Sequence, residues 1–272
     1  MQPFASQKEL VMPRAANVSD RDRSAAQHAP PQDPPHPSMS ACVQQVLEAL
    51  QAHASEERRQ VAVTYFPTAM RVLGVPVPAL RPIAKALASE RKHAPPAEVL
   101  RLAHALIHEG SMETRQVAYE LLESHKAAAL ALTEDDIEQL RHGLDNWASV
   151  DSFAMSVAGP AWRRGQLPDS RIDAWAQSDD RFVRRLALVC TVPLNMKSRG
   201  GKGDVPRTLR LCSALAADRD DFVVKALSWA LREILPHDEA AVRAFVSAQQ
   251  STLHRRIVRE VESKLKTGRK NS

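Results

Sequence analysis

From about Ser40 onward, apolar residues recur at the three- and four-residue intervals that mark one face of a helix. The segments CVQQVLEAL, AEVLRLAHALI, ETRQVAYELLES and DDIEQLRHGL follow this rhythm, with short breaks at Pro, Gly and Asp between them. Ser40 is expected to cap the first helix, and Thr133 with Asp136 has the spacing of a capping box. VAVTYF at 61–66 has the β-branched content of a strand, but it is isolated and followed by Pro67. With only twelve aromatic residues and no second strand candidate, the pattern predicts an all-α chain. Residues 1–39 differ: they carry seven prolines, including the run APPQDPPHP, and no sustained apolar period, which predicts a disordered arm.

The helical pattern also repeats. DDRFVRRLALV begins at Asp179 and DDFVVKALSWA at Asp220, and superposing Phe182 on Phe222 gives a shift of 40 residues. That period lies within the range of HEAT and armadillo units. ETRQVAYELLE at 113–123 has a similar rhythm upstream. The expected architecture is a curved solenoid of HEAT-like antiparallel helical pairs, an alpha-alpha superhelix, in which each pair buries its apolar side against its neighbours. It would span residues 40–266, with 267–272 as a basic tail.

Helical spacing then sorts the side chains. On a helix over 222–234, Val223, Ala226, Leu227, Ala230, Leu231 and Ile234 gather on one side. Lys225, Trp229 and Arg232 fall within about 60° of one another on the opposite side. An aromatic between two cations suits a partner, and equally suits packing against the other layer with the cations snorkelling outward. One repeat earlier, Arg181 and Arg185 lie a turn apart on the side away from Phe182, Val183, Leu186 and Cys190. Matching positions of a solenoid align, so these cations are expected to form a basic track for phosphates. In NWASVD, Trp147 and Asp151 are four apart and share a flank of a helix whose core side is Val150, Phe153, Ala154 and Val157. An acid beside an indole can stabilise positive charge or orient water, or can simply favour a helix start while the ring fills a gap.

Charge changes this picture more than composition does. The apolar fraction of 44% supports a sizeable core. No run approaches the roughly 20 apolar residues of a membrane span, and no secretory signal layout is seen, which points to the cytoplasm. Cys42, Cys190 and Cys212 show no disulfide or zinc spacing and are expected to be buried thiols. The ten histidines show no triad or metal spacing and are expected on the surface; no metal or cofactor is implied. The net charge of +5 is unevenly spread. Residues 181–210 hold eight Lys or Arg, among them Arg184, Lys197, Arg199 and Lys202, against Asp204, a net +7. Residues 251–272 add +5, leaving −7 for the rest, so the basicity belongs to particular surfaces suited to a polyanion. MKSRGGKG at 196–203 is expected to place three of these cations on open, flexible glycine-rich backbone, but lacks the spacing of a nucleotide-binding P-loop.

NWASVDSF, DDRFVRRLALV and DFVVKALSWALRE, in this order and at these separations, resemble the AlkD-type DNA alkylation repair glycosylases. The similarity runs from about Tyr65 to Glu262, and RVLGVPVPALRPIAK fits the family's early Gly-containing turn. The resemblance implies a HEAT-like fold and a monofunctional N-glycosylase that excises positively charged N3- or N7-alkylated purines from duplex DNA without base flipping, and the chain is expected to be a monomer. It needs no metal or cofactor and would work in the cytoplasm, at the nucleoid of a bacterial cell. By motif, Asp151 matches the catalytic carboxylate, Trp147 and Trp229 the flanking indoles, and Arg185 the arginine that completes the cleft and contacts DNA. Arg184, Arg181, Lys225, Arg232, Lys197, Arg199 and Lys202 are the further DNA-binding candidates. Where many relatives carry a second Trp after the first, this chain has Ala148. The alternatives are a non-catalytic helical-repeat binder of DNA or structured RNA and a protein-interaction scaffold.

Overall fold

The computed structural model describes residues 38–270, and every described regular element is helical. The first half runs through α1 (Met39–Gln51), α2 (Glu56–Tyr65), α3 (Val77–Glu90), α4 (Pro96–His108), α5 (Met112–Ser124), α6 (Lys126–Ala131), α7 (Glu134–Arg141) and α8 (Trp147–Phe153). A π-helical turn, Ala154–Ala158, carries α8 directly into α9 (Gly159–Arg163). Then follow α10 (Asp169–Ala176), α11 (Arg181–Val189), α12 (Val192–Asn195), α13 (Val205–Ala214), α14 (Asp221–Ile234), α15 (Glu239–Ala248) and α16 (Arg255–Thr267). The sole extended pairing among the described residues is one bridge between Arg71 and Ser111.

Local chemistry explains the boundaries. The first cap is Ser38 rather than Ser40: its hydroxyl accepts from the Ala41 N–H, and the helix begins at Met39. The Thr133–Asp136 capping box is present, each side chain answering the other's backbone N–H. VAVTYF is helical through Tyr65, with Phe66 as the C-cap, because Ser55 caps α2 and Glu56 and Glu57 occupy its first turn, where the helix dipole favours acids. The expectation of a disordered arm over 1–39 falls outside the described residues for 1–37, while Met39 is already helical. At the other end α16 continues through Thr267, one residue into the expected tail.

The 40-residue repeat is real in space. Asp180 and Asp220 each cap their helix by accepting from the N–H of Phe182 or Phe222, at 2.7 and 2.9 Å. The two phenyl rings then meet at 5.4 Å between centroids. Successive units stack in this way, α8 on α11 and α11 on α14, with α16 closing the far side of α14. One contiguous core runs through them, including Trp162, Tyr119, Phe153, Leu186 and Leu227. All three cysteines are buried in it. Truncating one of its leucines to Ala would cost about 2–5 kcal/mol.

Two expectations about side chains need correction. His125 is buried and caps α6 through its ring nitrogen, which accepts from Ala128 N–H at 3.0 Å, so it is not a surface histidine. The 196–203 loop is not open backbone. The N–H groups of Lys202 and Gly203 both donate to the Leu194 carbonyl, and Gly201 lies so close to Leu194 that a Cβ there would sit 2.6 Å from its carbonyl carbon.

Candidate functional site

The site grows from the start of α8. Asn146 caps it, accepting from Ser149 N–H at 2.9 Å. Its neighbour Asp145 accepts from the Thr68 hydroxyl at 2.5 Å and the Ala69 N–H at 2.6 Å, which ties the segment after α2 to this helix end. Tyr65 and Phe66 are thereby held edge-on to Trp147, with centroids at 5.4 and 6.1 Å. A second tie fixes the turn before α3. The buried Glu113 carboxylate accepts from the backbone N–H groups of Leu73, Gly74 and Val75 at 2.8–3.2 Å. That turn needs glycine, because Gly74 has φ +80° and a Cβ would lie 2.3 Å from the Ser55 carbonyl oxygen.

These elements enclose a groove of about 1050 Å³ bordered by α2, α3, α5 and α8. Trp147, Ala148 and Asp151 line it from α8, and Val150 and Phe153 point into the core, as the helical spacing required. Val61 and Tyr65, one turn apart on α2 and 64% and 69% exposed, form an apolar edge. The α5 side is polar. Gln116 donates to Glu120 at 2.9 Å and accepts from Ser152, while Glu123 accepts from Ser156 at 2.6 Å and pairs with Arg199.

Asp151 has one dominant partner. Arg185 on α11 grips it as a fork, Nε to Oδ1 at 2.8 Å and Nη2 to Oδ2 at 2.7 Å, and donates from Nη1 to the Phe222 carbonyl at 2.6 Å. Arg185 is therefore 7% exposed rather than presented to solvent as the helical spacing suggested. The reason is that α11 packs against α8, so the side away from its own core faces another helix. Burial pushes the Asp151 carboxyl above the usual aspartate value, and the Arg185 guanidinium acts against that rise. The result is a carboxylate fixed in place, 18% exposed, with its positive counterpart behind it and the groove in front.

The expected basic track is not a row of free cations. Arg184 donates to Asp218 at 2.7 Å and to the carbonyls of Ser178 and Asp179. Arg181 is half exposed, 3.6 Å from Asp220 and stacked over the rings of Phe182 and Phe222. Lys225 pairs with Asp221 at 2.6 Å. Arg232 turns inward to the Ser228 carbonyl at 3.0 Å, close to buried Glu260, and desolvation holds its pKa below the usual arginine value. α14 is buried around most of its circumference, Val224 and Ser228 included, because α11, α13 and α16 all pack on it. Trp229 is half-buried there; its N–H donates to Glu233 at 3.0 Å, and it does not line the groove that holds Asp151. Lys197 and Lys202 are exposed without an ion-pair partner among the described residues.

The structure thus brings Trp147, Asp151 and Arg185 together and adds Tyr65 and Phe66, which sequence reasoning missed. Reading 56–65 as a helix would have placed Val61 and Tyr65 on one face. Among the described residues, no group of three or more His, Cys, Asp or Glu could hold a metal ion, and no helix is long and apolar enough to cross a membrane.

Comparison with known proteins adds the following. A model of the family described as DNA alkylation repair enzyme matches residues 46–265. No curated protein matches the chain. A solved structure of a predicted DNA alkylation repair enzyme from Enterococcus faecalis is similar over 79% of this chain and 98% of its own, with a TM-score of 0.62 at 17% identity. At that identity the likeness is one of fold, and it agrees with the helical-repeat solenoid described above.

Proposed function

The chain belongs to the DNA alkylation repair enzyme family, and on that premise we propose that it is a monomeric DNA N-glycosylase of the cytoplasm, releasing positively charged N3- or N7-alkylated purines from duplex DNA without base flipping. The observation that carries this reading is the Asp151 carboxylate, fixed by the Arg185 fork and lining an open groove beside Trp147.

The chemistry suits these parts. Alkylation leaves the purine with a formal positive charge, so when the bond from C1′ to the base nitrogen breaks, its electron pair leaves with a neutral base. The positive charge passes to the sugar as an oxocarbenium ion. A carboxylate already held in place stabilises that charge without reorganising, an effect of about 3–4 kcal/mol for one well-placed group. Water then attacks C1′, and its proton passes to Asp151 or to solvent. The Trp147 ring, braced by Tyr65 and Phe66, offers a π face to the cationic sugar or base. Ala148 leaves room on the groove side of this helix. Of the remaining expected DNA contacts, Lys197 and Lys202 are free to meet backbone phosphates, whereas Arg181 and Arg199 would first have to leave Asp220 and Glu123.

A second reading, a non-catalytic binder of nucleic acid, is favoured by one observation: both Asp151 oxygens already accept from Arg185. One assay separates the two. Native protein is expected to release free methylated purine from alkylated duplex DNA well above the spontaneous rate, and Asp151→Asn is expected to abolish most of that release. No release by the native chain would refute the glycosylase reading and leave the binder.

A further inference from the structure

The cations expected to meet phosphate are mostly committed to carboxylates or carbonyls inside the protein. Arg184, Arg185, Arg232 and Lys225 are engaged in this way. A guanidinium already neutralised by an acid offers a polyanion little, since binding it there means first breaking the existing pair.

Two groove residues are in the opposite condition. Arg58 on α2 and Arg81 on α3 both line the groove that holds Asp151, and both are exposed. Neither guanidinium has a carboxylate, carbonyl or ring partner among the described residues, whereas neighbouring Arg59 is bound to Glu56. Glu57 is the one acid lining the groove from α2 and α3. The two arginines come from separate helices, held at their spacing by the Gly74 turn and the Glu113 carboxylate that fixes it. Lys85, one turn beyond Arg81 on α3, is likewise exposed and unpaired among the described residues. On the opposite side the groove presents Glu120, Glu123 and Asp151. Free cations therefore predominate on the α2–α3 side, with Glu57 beside them, and carboxylates on the α5–α8 side, where Arg199 is paired with Glu123.

We propose that Arg58 and Arg81 form a phosphate-binding pair that grips the DNA backbone from the α2–α3 side of the groove, leaving the carboxylate side to the cationic lesion. This rests on the reading of the chain as a DNA-acting protein. Each arginine meets a phosphate with two parallel N–H donors, a geometry that lysine reproduces only as a point charge.

The test is the salt dependence of binding to an undamaged duplex oligonucleotide, followed by fluorescence anisotropy. Each lost phosphate contact should lower the slope of log affinity against log salt by about 0.9, and so lower affinity at ~0.1 M salt by about eightfold. Arg58→Ala and Arg81→Ala are expected to do this singly, and the double variant to lose about 1.8 of slope by the same counterion-release rule. Arg58→Lys and Arg81→Lys should keep the slope. Arg101→Ala, an exposed cation on α4 outside the groove, should change nothing. Since neither arginine has a partner, the unfolding midpoints of the variants should match that of the native protein. A double variant with native slope and affinity overturns the phosphate pair while leaving DNA binding intact. Absence of salt-dependent duplex binding by the native chain overturns the DNA reading itself, and the pair with it.

Discussion

Replacing Arg185 by Met removes three hydrogen bonds while keeping most of the buried stem. Two of them go to Asp151 at 2.8 and 2.7 Å, and the third goes to the Phe222 carbonyl at 2.6 Å. What remains is a carboxylate only 18% exposed with no cation beside it, and breaking such a pair from one side typically costs about 3–5 kcal/mol. Partial exposure of Asp151 puts the expected loss near the lower figure, about 3 kcal/mol. Removing both partners, as Arg185→Met with Asp151→Asn, should cost about 2 kcal/mol less than the sum of the single changes, because no stranded charge is left. The assay is urea unfolding of the four proteins. The pH dependence sharpens it. Burial raises the Asp151 carboxyl and Arg185 opposes the rise, so in Arg185→Met the folded-state value climbs further above the unfolded one. A carboxyl shifted that way favours the fold at acid pH, and the benefit disappears as pH rises through the folded value. The deficit of the variant should therefore be largest at neutral pH and shrink on acidification. Additive single changes, within about 0.5 kcal/mol, or a deficit that grows as pH falls, would refute this account of the pair.

Further outcomes follow from the same geometry. Base release should fall on acidification at a pH above that of an ordinary aspartate, since burial raises Asp151 and only its anion stabilises the sugar cation; a pH profile of the single-turnover rate checks this. Gly74→Ala forces a side chain into a φ of +80° and against the Ser55 carbonyl, costing about 1–3 kcal/mol in strain alone by thermal or urea unfolding. Cys190 and Cys212 are buried, and desolvation pushes both thiols far above their usual range, so a thiol reagent at neutral pH should label them only after unfolding.

The helices and their repeat were legible because they depend on signals local in the chain. The 40-residue offset between Phe182 and Phe222 marked the repeat, and in the fold the Asp two residues before each caps its helix and the two rings meet directly. Asp151 and Trp147 were legible for the same reason, since one helical turn sets their common face. The environment of the cations was not. Helical spacing tells which side of α11 Arg185 occupies, but whether that side meets water or α8 depends on how units stack. Arg184 and Asp218, 34 residues apart, illustrate the same limit, as does the turn of Arg232 toward Glu260 on α16. Tyr65 escaped notice because its place beside Trp147 is set by Asp145 and Thr68, a contact across 77 residues of chain.

The reach of Arg185 has a consequence for anyone who would recombine this solenoid. Repeat proteins are often treated as interchangeable cassettes, since each unit touches only its neighbours. Here one guanidinium rivets α8 to α14 through α11, holding Asp151 with two of its nitrogens and the Phe222 carbonyl with the third. The cassette that must be moved intact is the set of three helices, and a graft that cut between any two of them would deliver the carboxylate without its bearing.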